Sequence, residues 1–244
     1  MSTRAAPDPV ALSGRFLRAV RTGEDESEYR RDLARLDRRV LRQQVSDDDA
    51  KRAFWLNVYN GFAQHLLQAD PSLWQKGTIL PTRPIFTDDL VTVAGHELSL
   101  DDIEHGLLRR SKTTWGLGYV PRLTAGSFER MHRVESVDPR IHFALNCGAA
   151  SCPPVAEYTA QGIDAELDLA TESFLQTECE YDPAERVVHV PKLFSWYRGD
   201  FGGKTGIVRF LQEYDVVPAD ASPKVAYSEY DWSLKLGAYT DLEA

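Results

Sequence analysis

The sequence predicts an α+β fold: a helix-rich single domain around a small mixed or antiparallel sheet, with helices at its N-terminus. Three observations predict it. Apolar residues recur at helical spacing through most of the chain. Strand-like runs are few and short, and neither an internal repeat nor a low-complexity linker interrupts the pattern. The 244 residues are 43% hydrophobic and 27% charged, ordinary values for a chain that buries a proper core.

Val10 to Val20 and Glu26 to Val45 have helical spacing and are separated by Thr22-Gly23. They are read as two helices of an extension over residues 1–45, preceding an α+β domain over 46–244. The arginines of the second helix, interspersed with Asp32 and Asp37, form a solvated face. Ser46 followed by Asp47, Asp48 and Asp49 predicts a capped helix start, with acids where the free amides and the helix dipole favour them. That helix runs to about Ala69, before Pro71. At about 100° per residue, Asn57, Asn60, Gly61, Gln64 and Gln68 share one stripe, and Trp55, Val58, Phe62 and Leu66 another. The expectation is a buried helix with a carboxamide seam.

Leu90 to Leu98 alternates around Ala94-Gly95 and predicts a hairpin. Ser99 then caps a helix reaching about Arg110, with Asp102 placed to reach back to the cap. Arg140 to Asn146 reads as a strand, with His142, Ala144 and Asn146 on one face and Ile141, Phe143 and Leu145 on the other. Further on, Asp164 to Gln176 is an amphipathic helix, Arg186 to Val190 a short strand, and Leu193 to Tyr197 and Ile207 to Tyr214 two more helices.

A net charge of −9 argues against nucleic acid or an anionic membrane as partner. The first twenty residues carry no apolar run long enough for a secretory signal, and Ala53 to Ala69, the longest uncharged stretch, holds too many polar groups to span a bilayer. A cytoplasmic protein is expected, with no membrane span. In that setting its three cysteines are free thiols.

Function concentrates in Asp138 to Pro154, DPRIHFALNCGAASCPP, where an apolar run ends in small residues and two cysteines. Small residues at the end of a rigid element leave amides and a thiol accessible. Cys147 is the candidate nucleophile or redox thiol; the competing reading is a small buried hydrophobe. His142, five residues before it on the expected strand, would lie roughly 16 Å away, too far to act as its base. His105 is therefore the expected base or partner, Glu104 the group that orients or balances it, and Asn60 with Asn57 the donors to substrate or intermediate. His142 and Asn146 are expected on the substrate side. As adjacent helical residues, Glu104 and His105 are not expected to face one ligand squarely.

Cys147 and Cys152 are also a candidate dithiol, although their spacing is not the CxxC of oxidoreductases. His65, His105, His142, Glu104, Cys147 and Cys152 include zinc-binding types but no recognised ligand spacing, so no metal site and no cofactor are assigned. Gly202 to Gly206 lacks the full phosphate-loop pattern. Cys179 is given no role, and Trp196, Tyr197, Asp200 and Phe201, with Tyr230 and Trp232, wall either a cleft or a core.

The blocks AFWLNVYNGFAQHLL (Ala53 to Leu67), LSLDDIEHGLLR (Leu98 to Arg109), DPRIHFALNCGAASCPPV (Asp138 to Val155), PKLFSWYRGDFG (Pro191 to Gly202) and YDWSLK (Tyr230 to Lys235) together resemble the domain-of-unknown-function family 547, over roughly Arg42 to Lys235. The resemblance names no activity; relatives in which such a domain is fused to a glutaredoxin-like one imply proximity to thiol chemistry. The expected function is thiol-dependent acyl transfer or hydrolysis on a small-molecule or peptide ligand. The alternatives are a non-catalytic binding domain, whose polar groups form a satisfied buried network, and a metal-dependent hydrolase. Asn60, His105 and Cys147 are expected to converge.

Overall fold

The computed structural model describes residues 8–77 and 82–242; the first seven residues, read above for a secretory signal, lie outside them. Helix α1 (Pro9–Thr22) starts at Asp8, whose carboxylate accepts from the Val10 and Ala11 amides, and ends at Gly23 in the left-handed region that glycine adopts without a Cβ clash. The helix expected over Glu26 to Val45 is two, α2 (Ser27–Ala34) and α3 (Arg38–Gln44). The break follows from Asp37, whose side chain accepts from Arg39 and Val40 and opens a new helix where the old one would have continued.

Helix α4 (Asp48–Ala69) is the axis of the fold. Its cap is Asp47, one residue later than expected, accepting from the Ala50 amide at 2.9 Å. From Ala53 to Gln64 every residue is buried, so this helix is covered on all sides. Phe16 of α1 lies against Phe62 with ring centroids 4.7 Å apart. Leu12, Phe16, Leu33 and Leu41 from the first three helices join Phe54, Trp55 and Leu56 in one hydrophobic core. Each fully buried side chain of this size contributes roughly 1.5–3 kcal/mol.

The hairpin is formed as expected by β1 (Val91–Val93) and β2 (His96–Leu98), antiparallel with Val91 opposite Leu98. Before it come a 3₁₀ turn at Pro71–Trp74 and the short α5 (Pro84–Thr87). After it, the Ser99 hydroxyl accepts from the Asp102 amide at 3.1 Å while the Asp102 carboxylate accepts from the Ser99 amide at 3.2 Å, the reciprocal cap read from the sequence. The helix it opens is wound wide, as a π-helix over Asp102–Leu108, and the Arg109 amide bonds five residues back to Glu104. Helix α6 (Ser127–His132) packs beside it.

Arg140 to Asn146 is not a strand. Asp138 accepts from the Arg140 amide, Pro139 occupies the first helical position, and Pro139–Phe143 winds as a 3₁₀ helix. The Arg140 guanidinium pins this turn to Asp138 at 2.7 Å and to Asp164 at 2.7 Å. A second core gathers Phe143 with α7 (Ile163–Glu178), α8 (Leu193–Trp196), α9 (Gly203–Glu213) and a three-stranded mixed sheet. In that sheet β4 (Val187–Val190) pairs antiparallel with β3 (Glu180–Asp182) and parallel with β5 (Lys224–Tyr227). Only β4 was expected. Residues beyond β5 return across the molecule as a strap, with Ala149 bridged to Leu234 and Val155 to Tyr239.

Candidate thiol site

Between the two cores lies a cavity of about 180 Å³. Its wall is assembled from α4 (Tyr59), the π-helix and its approach (Asp101, Glu104, His105), the segment after the 3₁₀ turn (Cys147, Cys152), α8 with the residue after it (Trp196, Tyr197) and the strap (Tyr230, Trp232). Among the candidates, Cys147, His105, Glu104 and His142 meet here, and Asn57, Asn60 and Asn146 do not.

The three asparagines are bound elsewhere. Asn57 donates to the Tyr158 carbonyl at 2.8 Å and accepts from its amide at 2.9 Å. Asn60 holds the Ala144 carbonyl and the Asn146 amide in the same two-pronged way, each at 2.9 Å. Asn146 donates to the Pro153 carbonyl and accepts from the Gly148 amide and from Gln64. The expected donors to substrate are therefore clamps on backbone. A fully buried carboxamide stabilises the fold only when its own groups are satisfied, and here they fix the loop that carries both thiols.

Within that loop Gly148 has φ +98°, and a Cβ there would stand 2.7 Å from Leu67. The turn brings the sulfurs of Cys147 and Cys152 to 2.9 Å. Cys152 Sγ also accepts from the Cys147 amide at 3.2 Å and lies 3.2 Å from the Tyr230 hydroxyl. All three cysteines are free. Burial pushes the Cys152 thiol up, but hydrogen bonds from Cys147, Tyr230 and the loop amides outweigh it and bring Cys152 down to about 7. Donation to Cys152, and then burial, push Cys147 well above its ordinary value. Of the two thiols, Cys152 is therefore the one that ionises first.

On the opposite wall Glu104 accepts from Tyr197 at 2.7 Å and Tyr59 at 3.3 Å. Its burial is outweighed by the Arg109 guanidinium and the Tyr197 hydroxyl, which hold it below the usual range. Glu104 and His105 face the same cavity after all, 3.8 Å apart, on the widened turn. Arg109 Nη1 lies 2.6 Å from His105 Nδ1. A guanidinium only donates, so Nδ1 accepts and Nε2 carries the ring proton, 3.6 Å from Asp101 Oδ1. His105 is a donor at the cavity rather than the proton acceptor expected for Cys147. Burial pushes Asp101 up to about 7, with Glu104 adding to the shift.

Behind His105, Arg109 bonds Asp200 at 2.7 Å, and Asp200 bonds His142 Nε2 at 2.9 Å. His142 stacks on Tyr197 with centroids 3.9 Å apart. His142 and Cys147 share a cavity because the chain between them is not extended: the 3₁₀ helix closes at Phe143 and the segment after it turns. Arg109, one helical turn after His105, was findable from that spacing alone; Tyr230 lies on the cavity wall, one of the two places the sequence offered it, and Asp200 lies behind it, though nothing local tied either to its partner. Among the described residues no three His, Cys, Asp or Glu side chains are grouped to hold a metal ion. No described helix is long and apolar enough to cross a membrane.

Burial holds His105, and likewise His132, down to about 4. In the unfolded chain both titrate near about 6.5. Below that value the unfolded state binds protons that the fold refuses. Their contribution to stability is complete above about pH 6.5 and is lost as the pH falls toward about 4. Urea midpoints followed across that window should decline, and decline less in a His105→Gln, His132→Gln variant. A midpoint as steep in the variant as in the parent would assign the acid sensitivity to carboxylates alone.

Residues 43–175 match the model of a family described as a protein of unknown function, DUF547. No curated protein matches the chain, and no solved structure does.

Proposed function

The chain belongs to the DUF547 family, and on the geometry of its cavity we propose that it is a thiol-dependent enzyme whose Cys147 and Cys152 cycle between dithiol and disulfide. The observation that carries this reading is the contact of the two sulfurs at 2.9 Å beside the Tyr230 hydroxyl, on the wall of a cavity. Closing them to a bond of roughly 2.05 Å needs about an ångström of movement.

The Cys152 thiolate attacks one sulfur of a substrate disulfide. That S–S bond breaks, one thiolate leaves and takes a proton, and a mixed disulfide remains on Cys152. Cys147 then gives up its proton and attacks Cys152 Sγ, forming the internal disulfide and releasing the second substrate thiol. The pair gives the substrate two electrons; of the two protons the product thiols carry, one comes from Cys147 and the other from solvent, which received it when Cys152 ionised, and an external dithiol reductant restores the pair.

Acyl transfer or hydrolysis through Cys147 fits less well. It needs a base for Cys147, and His105 has Nδ1 engaged by Arg109 and a proton on Nε2. A purely binding role fits the asparagine clamps, which are closed off, but not the thiols, which line open space.

Differential alkylation tests the proposal. With iodoacetamide, Cys152 should react first, with an apparent pKa near 7. Cys147 should follow, and Cys179, pushed up to about 12 by burial, should come last. Reaction of Cys147 ahead of Cys152 would restore it as the nucleophile. Thiols that react only after unfolding would make the pair structural.

A further inference from the structure

We infer that the disulfides reduced at this site are small and carry a cationic group, and that Asp101 is the residue that selects them. The inference rests on the dithiol reading above and adds the class of substrate.

Size comes first. The cavity of about 180 Å³ equals roughly six waters at about 30 Å³ each. It lies below the roughly 300–1,000 Å³ of sites that take drug-sized ligands. It admits a compound of about ten non-hydrogen atoms and excludes a folded protein's disulfide from anything but shallow contact.

Charge comes second. Among the described residues no lysine or arginine lines the cavity, and its described ionisable groups other than the thiols and tyrosines are Asp101, Glu104, His105 and His142. Both imidazoles are held below their ordinary values by burial and stay neutral. Arg109 lies behind the wall, engaged by His105 and Asp200 and covered by the Tyr197 ring at 4.5 Å. Glu104 already accepts from two tyrosines. Asp101 is different. Its side chain is 25% exposed, and among the described residues its carboxylate bonds no closer group than His105 Nε2 at 3.6 Å. The neighbouring Arg122 guanidinium is turned to Asp102 Oδ1 at 3.1 Å and to the Asp101 backbone carbonyl.

The remaining wall is aromatic. Trp196, Tyr230 and Trp232 pack with centroids 4.7 to 5.5 Å apart, and ring faces attract an ammonium group while offering nothing to a carboxylate. The Arg83 guanidinium outside the wall is engaged by the Trp74 and Trp232 rings, at 4.4 and 4.8 Å from their centroids, and on the wall itself an anionic disulfide meets Glu104 and Asp101. A cationic one finds the Asp101 carboxylate and the Trp196 and Tyr230 rings, the Trp232 ring being already paired with Arg83.

The test uses three small disulfides that differ mainly in charge: cystamine, bis(2-hydroxyethyl) disulfide and dithiodiglycolate. Formation of the Cys147 to Cys152 disulfide is timed in the full-length reduced protein, and each rate is divided by that of the same disulfide with free 2-mercaptoethanol. The normalised rates should fall in that order, with cystamine ahead of dithiodiglycolate by at least about tenfold, as expected for one charge pair a few ångströms apart. Asp101→Asn should shrink that ratio severalfold.

The ratio of cystamine to the neutral disulfide cancels the thiolate fraction and isolates the carboxylate. It should rise with pH through about 7, where Asp101 titrates against Glu104, Asp102, His105 and Arg122. Equal normalised rates for the three compounds, or a ratio untouched in Asp101→Asn, would overturn the selectivity and leave the dithiol reading standing. Insulin disulfides reduced as fast as cystamine would overturn the size limit. Thiols left reduced by all three compounds would overturn the dithiol reading itself.

Discussion

Cys152→Ser should lower the rate of oxidation by small disulfides by about a thousandfold or more, because a serine hydroxyl supplies no comparable nucleophile at neutral pH. Cys147→Ser should behave differently. The first attack survives, since Cys152 keeps the Tyr230 hydroxyl at 3.2 Å and the loop amides, but the resolving sulfur is gone. The variant should accumulate a mixed disulfide with one half of the substrate on Cys152, visible as an adduct by intact-protein mass spectrometry and removed by dithiothreitol. A dead Cys147→Ser beside an active Cys152→Ser would exchange the two roles and return the acyl-transfer reading to the front.

The largest stability loss is expected at Arg109→Met. Arg109 is 1% exposed and joins His105 Nδ1 to an Asp200 carboxylate that is itself fully buried. Burial raises the Asp200 carboxyl, but His142, and then the Arg109 guanidinium, outweigh it and bring it down to about 2. Methionine fills much of the volume but leaves the carboxylate with His142 and a lysine, Lys112, at 3.8 Å. Breaking one partner of a buried pair costs about 3–5 kcal/mol. Arg109→Lys should recover only a minor part, since one ammonium cannot reproduce the fixed fork that spans both partners. Replacing Asp200 as well, in an Arg109→Met, Asp200→Asn variant, should cost less than the sum of the two single changes. Urea midpoints of the four proteins decide it; strict additivity would mean that the pair is not coupled.

The parts of the fold that could be read from sequence are those whose causes are local. The hairpin at Ala94-Gly95, the Ser99 to Asp102 cap and the uncharged α4 each carry their reason within a few residues. The segment Pro139–Phe143 misleads because a short apolar run suits a strand and a buried helical turn alike. Asp138-Pro139, a helix-start pair, is the signal that decides against the strand. For the site, Cys147, Cys152, Glu104 and His105 were legible by residue type. Their roles were not, because roles depend on partners: Arg109 settles which His105 nitrogen holds the proton, and Tyr230 helps settle which sulfur holds the charge. The carboxamide seam was visible as a stripe, yet nothing in the stripe says that Asn57 and Asn60 bind the backbone of segments some ninety residues away.

The strap gives the site a place in time. Tyr230 and Trp232 are the last of the cavity residues to be translated, and the strap is anchored by the Lys235 amide on Gly148 and the Gly237 amide on Gln64. A ribosome that has made both thiols and both acids has therefore not yet made the hydroxyl that steadies the Cys152 charge. During that interval Cys152 has the Cys147 thiol and the loop amides beside it in sequence but lacks the second of its side-chain donors, Tyr230. The last donor to Cys152 and the last aromatic walls of the cavity are thus delivered by one segment, and the pocket is completed only when the strap is laid down.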